Sequence, residues 1–357
     1  MQSIDALGWT SRLDDAFAPH RAAGLEPARV ALEHTHIYRV LMPSGEGLAR
    51  VVGRLRHAAA SRRDYPAVGD WVGIKPTAHA GRWSIHVVLP RTSQFVRKVA
   101  GHRTEEQVVA ANVDTVFLVA GLDGDFNPRR LERYLILAWE SGAQPVVILN
   151  KADVTDGLEA FLNETARVAA GVPVHATSTK TGLGFDMLSH YLTPGRTVAF
   201  LGSSGVGKSS IINRLVGQEL LRTREVRESD SRGRHTTPHR ELVALPGGAL
   251  VIDTPGMREI QLWDVHEGLT EVFEDIQSLA AGCRFRDCGH RAEPGCAVRG
   301  AVEEGTLDAG RLGNYLKLQD EIRATEARVD ERAQQEAKRY GKVMSKALKK
   351  IYKDRDR

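Results

Sequence analysis

Eight consecutive residues, Gly202-Ser203-Ser204-Gly205-Val206-Gly207-Lys208-Ser209, match the pattern G-x-x-x-x-G-K-[ST]. Glycines at this spacing let a backbone wrap around phosphate with its N–H groups turned inward. A helix starting there adds the anion-favouring end of its dipole. Lys208 is placed to reach the β- and γ-phosphates of a bound nucleotide, and Ser209, followed by Ser210, to bind Mg²⁺. The apolar run Val198–Leu201 precedes the motif and the helical pattern Ser210–Gly217 follows it, which is the strand–loop–helix setting that this chemistry needs.

A second set of residues selects the base. Asn150-Lys151-Ala152-Asp153 closes the apolar run Pro145–Asn150. A carboxylate at Asp153 can accept from both the N1–H and the 2-amino group of guanine. Adenine offers no such pair, so ATP would leave a buried acceptor unpaired. Ser178-Thr179-Lys180 resembles the loop whose backbone contacts guanine O6, with Thr179 where alanine is usual. Asp253-Thr254-Pro255-Gly256 ends the run Leu250–Asp253. Asp253 there would hold Mg²⁺ through water, and the Gly256 N–H would sense the γ-phosphate. Between these motifs, Gly233-Arg234-His235-Thr236-Thr237 reads as a switch loop, with Thr236 or Thr237 closing on Mg²⁺ and the γ-phosphate. Met257 occupies the position where a glutamine usually orients water, so intrinsic hydrolysis is expected to be slow. His235 is the candidate catalytic residue in cis; the alternative is a histidine that only packs in the loop. The guanine motifs precede the phosphate loop in this chain, so the usual order of GTPase motifs is circularly permuted.

A third cluster lies at Cys283, Cys288, His290 and Cys296, which includes all three cysteines of the chain. Three thiolates and an imidazole suit one structural zinc ion held tetrahedrally. A redox cluster is the alternative. An odd, tightly grouped set of cysteines argues against a disulfide framework and for a reducing compartment.

These sites need positioning elements. The 357 residues suffice for two or three domains, and 42% apolar with 26% charged residues excludes wholesale disorder. Residues 1–27 form a short lead-in. Residues 28–103 carry short β-rich runs (Ile37–Leu41, Ala49–Leu55, Trp71–Ile74, Trp83–Leu89) that suit a five-stranded OB-type barrel, with an SH3-like barrel as the alternative. In residues 104–272, apolar runs alternate with helical stretches such as Pro128–Ser141, which indicates an α/β P-loop domain with a mostly parallel sheet. A zinc module at 273–335 and a basic helical tail at 336–357 complete the expected organisation.

The net charge of +4 conceals a segregation: 29–103 carries +9 and 338–357 carries +7, which leaves −12 for the rest. Basic ends favour a polyanionic partner. Arg54, Arg56, Arg62 and Arg63, and tail lysines such as Lys342, Lys346 and Lys350, are the candidate contacts, while Trp71 and Trp83 read as core residues. No run approaches the roughly 18 apolar residues of a membrane span, and Met1–Thr10 lacks a signal-peptide pattern. A cytoplasmic protein without a membrane partner is expected.

The motif order, together with Gly69–Val72 (GDWV), Val88–Arg91 (VLPR), the GSSGVGKSS and GRHTT segments and the cysteine spacing, resembles the RsgA (YjeQ) family over nearly the whole chain. The resemblance implies a GTP hydrolase, monomeric, that cycles between GTP and GDP. It implies late maturation of the small (30S) ribosomal subunit through contact with 16S rRNA, and release on hydrolysis. It also supports His235 as catalytic residue and Zn²⁺ at the cysteine cluster. The rival readings are an RNA-binding or chaperone protein with incidental GTP turnover, and a large-subunit assembly GTPase.

Overall fold

The computed structural model describes residues 3–34, 36–78, 81–99, 105–217, 241–253, 266–324 and 327. The described residues fall into two compact units that divide around Val272.

The first unit begins with helix α1 (Ser11–Ala22), capped by the Thr10 hydroxyl, which accepts the Leu13 N–H. Leu13 and Phe17 on its inner side join Leu7, Leu25, Trp71 and Leu89 in one buried cluster. The lead-in therefore completes a core that the following strands leave open on one side. Those strands are β1 (Glu26–His34), β2 (Ile37–Met42) and β3 (Gly45–Val51), then helix α2 (Gly53–Ala58), β4 (Trp71–Pro76) and β5 (Arg82–Val88). They pair in the order β1–β2–β3–β5–β4, and β4 returns to β1. The result is the closed five-stranded OB-type barrel expected from the sequence. Val30, Tyr38, Val40, Ala49, Val72, Ile74 and Ile85 fill it.

The run Ala49–Leu55, which the sequence presents as one strand, divides. The Val52 N–H makes a last bond to Ile85 O, and beyond it the backbone satisfies its own groups as α2. Arg54 and Arg56 are thereby exposed on a helix, with Arg62 and Arg63 exposed on the turn that follows.

Next come an antiparallel hairpin, β6 (Gln94–Val99) and β7 (Glu105–Ala111), and the α/β domain. Its elements are β8 (Thr115–Gly121), α3 (Pro128–Ser141), β9 (Gln144–Asn150), α4 (Leu158–Val168), β10 (Val174–Ala176), α5 (Phe185–Leu188), β11 (Thr197–Leu201), α6 (Lys208–Val216), β12 (Glu241–Ala244), β13 (Leu250–Asp253) and α7 (His266–Val272). The sheet order is β10–β9–β8–β11–β13–β12, parallel except for β12. Continuous burial along β8, β9 and β11 is what a sheet covered on both faces requires. β10 and β12, of three and four residues, are too short to stand out as periodic runs.

Barrel and sheet are joined. β12 pairs with β1 at Leu32↔Glu241, and Arg39 forms an ion pair with Glu241. Deeper inside, Arg29 of β1 is 1% exposed. Its guanidinium donates to Leu7 O, to Gly69 O and Asn112 O (both 3.2 Å) and to Thr197 Oγ1 (2.8 Å). It thus ties the lead-in, the barrel and the strand that carries the phosphate loop. Burial pulls its pKa down to about 10, so it stays charged at neutral pH. The segments GDWV and VLPR meet here as well. Asp70, fully buried, accepts from Arg91 Nε (2.8 Å) and Nη2 (2.7 Å), and burial raises the Asp70 pKa against the pull of Arg91. Gly69 has φ +93°, and a Cβ there would lie 2.1 Å from Ala111 O, so glycine is required. Arg29 and Arg91 belong to the basic count of 29–103, yet both are engaged inside the fold and neither serves a polyanion.

An Arg29→Met chain should lose about 2–4 kcal/mol of stability, since carbonyls are orphaned while a buried charge is removed. Urea unfolding measures this, and an unchanged midpoint contradicts the role given to Arg29.

The second unit contains α8 (Glu274–Ala280), α9 (Ala297–Glu303) and a helix over 309–324. Phe273 and Tyr315 pack with ring centroids 5.2 Å apart, and Arg311 pairs with Asp275 at 2.6 Å. The basic tail, 336–357, lies outside the described residues.

Candidate functional site

The loop from Gly202 to Gly207 connects β11 to α6 between β8 and β13, at the carboxyl ends of the parallel strands where such sheets bind ligands. Gly207 has φ +97°, and a Cβ on it would sit 2.3 Å from Asn150 Nδ2. That close approach is used: Asn150 Nδ2 donates to Val206 O at 2.8 Å, and Asn150 Oδ1 accepts from Thr177 Oγ1 at 3.1 Å. The buried Asn150 therefore fastens the base-recognition strand to the phosphate loop. Lys208 Nζ donates to Gly202 O (2.7 Å) and Ser203 O (2.5 Å), which folds its ammonium over the loop. Ser204 and Gly205 are exposed at the tip, Val206 is buried beneath, and Ser209 and Ser210 lie half-buried in the first turn of α6.

Lys151 takes a left-handed conformation, φ +64°, and pairs with Asp123. Asp153 Oδ1 accepts the Ser178 hydroxyl at 2.5 Å, and that bond holds its carboxyl below the usual range. The Thr181 N–H donates to the same Ser178 Oγ at 3.1 Å, and Thr179 O accepts from Arg214 Nη1 at 2.9 Å. Lys180 is exposed at the turn. Residues 150–153, 178–180 and 202–210 are thus connected by direct hydrogen bonds although they lie far apart in sequence. Asp253 ends β13, beside β11. His235, Thr236, Thr237, Gly256 and Met257 lie outside the described residues.

Because the Ser178 bond depresses the Asp153 pKa, the carboxylate persists below the ordinary aspartate range near 3.9. Guanine-nucleotide affinity should stay flat from pH 8 to about pH 5. Ser178→Ala lets the Asp153 pKa rise, so the acid limb moves to higher pH. Titrating the affinity for a fluorescent GDP analogue checks this, and coincident limbs in both chains would refute it.

Several contributors were not singled out in the sequence. Arg130 of α3 donates to the Ser203 hydroxyl and pairs with Asp125 at 2.8 Å. Arg214 of α6, stacked over Phe185 at 5.0 Å, holds the guanine-side loop. Glu293 accepts from the N–H groups of Gly289 (3.0 Å), Arg291 (2.8 Å) and Ala292 (3.0 Å), and its own N–H together with those bonds pulls its pKa down to about 2. It fixes the turn on which His290, with φ +57°, is presented.

The ligating atoms of Cys283, Cys288, His290 and Cys296 all lie within 4.8 Å of one another. Cys283 Sγ is 3.8 Å from Cys296 Sγ and 3.7 Å from His290 Nδ1, and Cys296 Sγ is 3.4 Å from His290 Nδ1. A tetrahedron with Zn–S of about 2.3 Å and Zn–N of about 2.0 Å has edges of about 3.8 and 3.5 Å. The donor set therefore fits a zinc-sized ion, and burial of His290 favours its neutral, ligating form. Among the described residues no helix is long and apolar enough to cross a membrane.

Comparison with known proteins places these features. The family model described as RsgA GTPase matches residues 88–263. A protein of Opitutus terrae named small ribosomal subunit biogenesis GTPase RsgA is 50% identical over 337 residues, 92% of each chain. One of Syntrophotalea carbinolica with the same name is 43% identical over 98% of this chain and 97% of its own. Among solved structures, YjeQ of Thermotoga maritima superposes with TM-score 0.62 at 28% identity, over 84% of this chain and 98% of that one. The circularly permuted GTPase YloQ superposes with TM-score 0.60 at 26% identity, over 84% and 96%.

Proposed function

Since the chain belongs to the RsgA GTPase family, we propose that it is the GTP-driven factor that matures the small ribosomal subunit, binding 16S rRNA as a monomer in the cytoplasm and leaving on hydrolysis. It is a circularly permuted GTPase. The observation that carries the reading is the direct bonding of the phosphate loop to the guanine motif through Asn150, with Asp153 oriented by Ser178.

In this reading Asp153 accepts from the guanine edge, Ser178, Thr179 and Lys180 line its O6 side, and the loop N–H groups hold the α- and β-phosphates. Lys208 exchanges its bonds to Gly202 O and Ser203 O for the β- and γ-phosphates. Mg²⁺ bound with GTP supplies charge neutralisation. Its oxygen-donor set would be Ser209, Asp253 and one of Thr236 and Thr237. The Gly256 N–H senses the γ-phosphate, and His235 orients the attacking water in place of the glutamine that Met257 lacks. One Zn²⁺ at Cys283, Cys288, His290 and Cys296 is structural, since four protein donors leave no open coordination position.

GTP turnover measured alone, with 30S and with 50S subunits tests the whole assignment. Slow basal turnover, strongly stimulated by 30S alone, is expected. Stimulation by 50S supports a large-subunit factor, and equal rates throughout support incidental turnover in an RNA-binding protein.

A further inference from the structure

Helix α3 starts beside the phosphate loop, and its first turn carries a cation that reaches that loop. Pro128 occupies the first helical position, and the Asn127 side chain accepts the Arg130 N–H at 3.1 Å, so the cap fixes the backbone of Arg130. The side chain is fixed separately. Arg130 Nη1 donates to both oxygens of Asp125, at 2.8 and 3.0 Å, and to the hydroxyl of Ser203, the second residue of the phosphate loop.

The Arg130 and Asp125 side chains are each 34% exposed, and an ion pair so open to water adds little to the stability of the fold. The space lined by Asp125, Asn127, Arg130 and Ser203 measures about 10 Å³, room for one water at most. These groups therefore grip one another and do not frame a ligand site of their own.

Ser203 is held at two points. Its hydroxyl accepts from Arg130. Its carbonyl accepts from Lys208 Nζ at 2.5 Å, and the same ammonium reaches Gly202 O at 2.7 Å. The second hold is the one that nucleotide disturbs, because Lys208 serves the β- and γ-phosphates in the reading above. The first does not compete with phosphate: Arg130 approaches through the Ser203 side chain, and Asp125 balances its charge.

We propose that Arg130 is a positioning residue for GTP binding and hydrolysis. Anchored by Asp125 and the Asn127 cap, it fixes the Ser203 end of the phosphate loop while Lys208 turns to the phosphates. The proposal rests on the nucleotide reading above and adds to it a residue from outside the loop. A loop whose N–H groups already stand in place loses less freedom when phosphate binds. Arg130 thus acts on affinity and turnover without touching the nucleotide.

A double-mutant cycle on the full chain tests this, with the affinity for GDP in the presence of Mg²⁺ as readout. Arg130→Met keeps the stem and removes the donors. It should weaken GDP binding about tenfold, the scale of one hydrogen bond to a charged group, and leave the urea midpoint unchanged. Ser203→Ala should cost about the same. Since both act through one bond, the two together should cost no more than either alone. Arg130→Lys, which keeps a charged donor, should bind GDP more tightly than Arg130→Met only where Ser203 is present. Additive losses overturn the proposal, whether they mark a structural role for Arg130 or its direct contact with phosphate. So does an unchanged affinity in Arg130→Met. Lys208→Ala separates the two possible failures. If it weakens GDP binding while Arg130→Met does not, the role of Arg130 alone has failed. If neither weakens it, the nucleotide reading has failed.

Discussion

A Lys208→Ala chain should lose GTP hydrolysis by about 10²–10³-fold, with and without small subunits, because one preorganised cation is removed from the transferring phosphoryl group. The loss has two parts. Lys208 Nζ is the donor that bridges Gly202 O and Ser203 O, so truncation also loosens the loop before any nucleotide arrives. Its charge is absent again when negative charge develops on the γ-phosphate. Lys208→Arg separates them: it keeps the charge but cannot place a point donor between the two carbonyls. Single-turnover hydrolysis and GDP affinity are the two readouts. A Lys208→Ala chain that hydrolyses GTP at the wild-type rate sinks the site assignment.

The second large effect concerns the zinc ion proposed for the cysteine cluster. Removing it by chelation, or by Cys296→Ser, should unfold the cysteine module around 283–296, since structural zinc contributes about 10–16 kcal/mol in small modules at neutral pH. Cys296 is the central ligand in position: its Sγ lies 3.8 Å from Cys283 Sγ and 3.4 Å from His290 Nδ1, and it also caps α9 by accepting the Arg299 N–H. One metal per chain should be released, with loss of protection from protease at 273–324. Nucleotide binding by the first unit, whose core shares no side chain with these ligands, should survive. A chain that releases no metal, or that stays protected without it, contradicts the zinc assignment.

Much of the nucleotide site was legible because its parts are local. The phosphate loop needs glycines at fixed offsets, and Asn150 to Asp153 need one strand end, so spacing alone reports them. The barrel was legible as a class from its short β runs. Which strands pair to close it, with β4 returning to β1, was not. The break at Val52 was hidden for the same reason: whether Arg54 continues a strand depends on whether a partner strand continues beside it.

By itself the sequence determined the chemistry: which groups could meet phosphate, guanine and a soft metal, and in what permuted order. Only the tertiary structure decided which charges are available to do it. Arg29 reads as one more cation of a basic segment until Thr197, 168 positions away, is found at its guanidinium. Arg91 reads likewise until Asp70 is found buried against it. Arg130 has no motif to announce it and still reaches Ser203. A residue's type fixes its formal charge, but burial and partners fix whether that charge binds a ligand or holds the fold, and these are properties of neighbours that chain folding brings from afar.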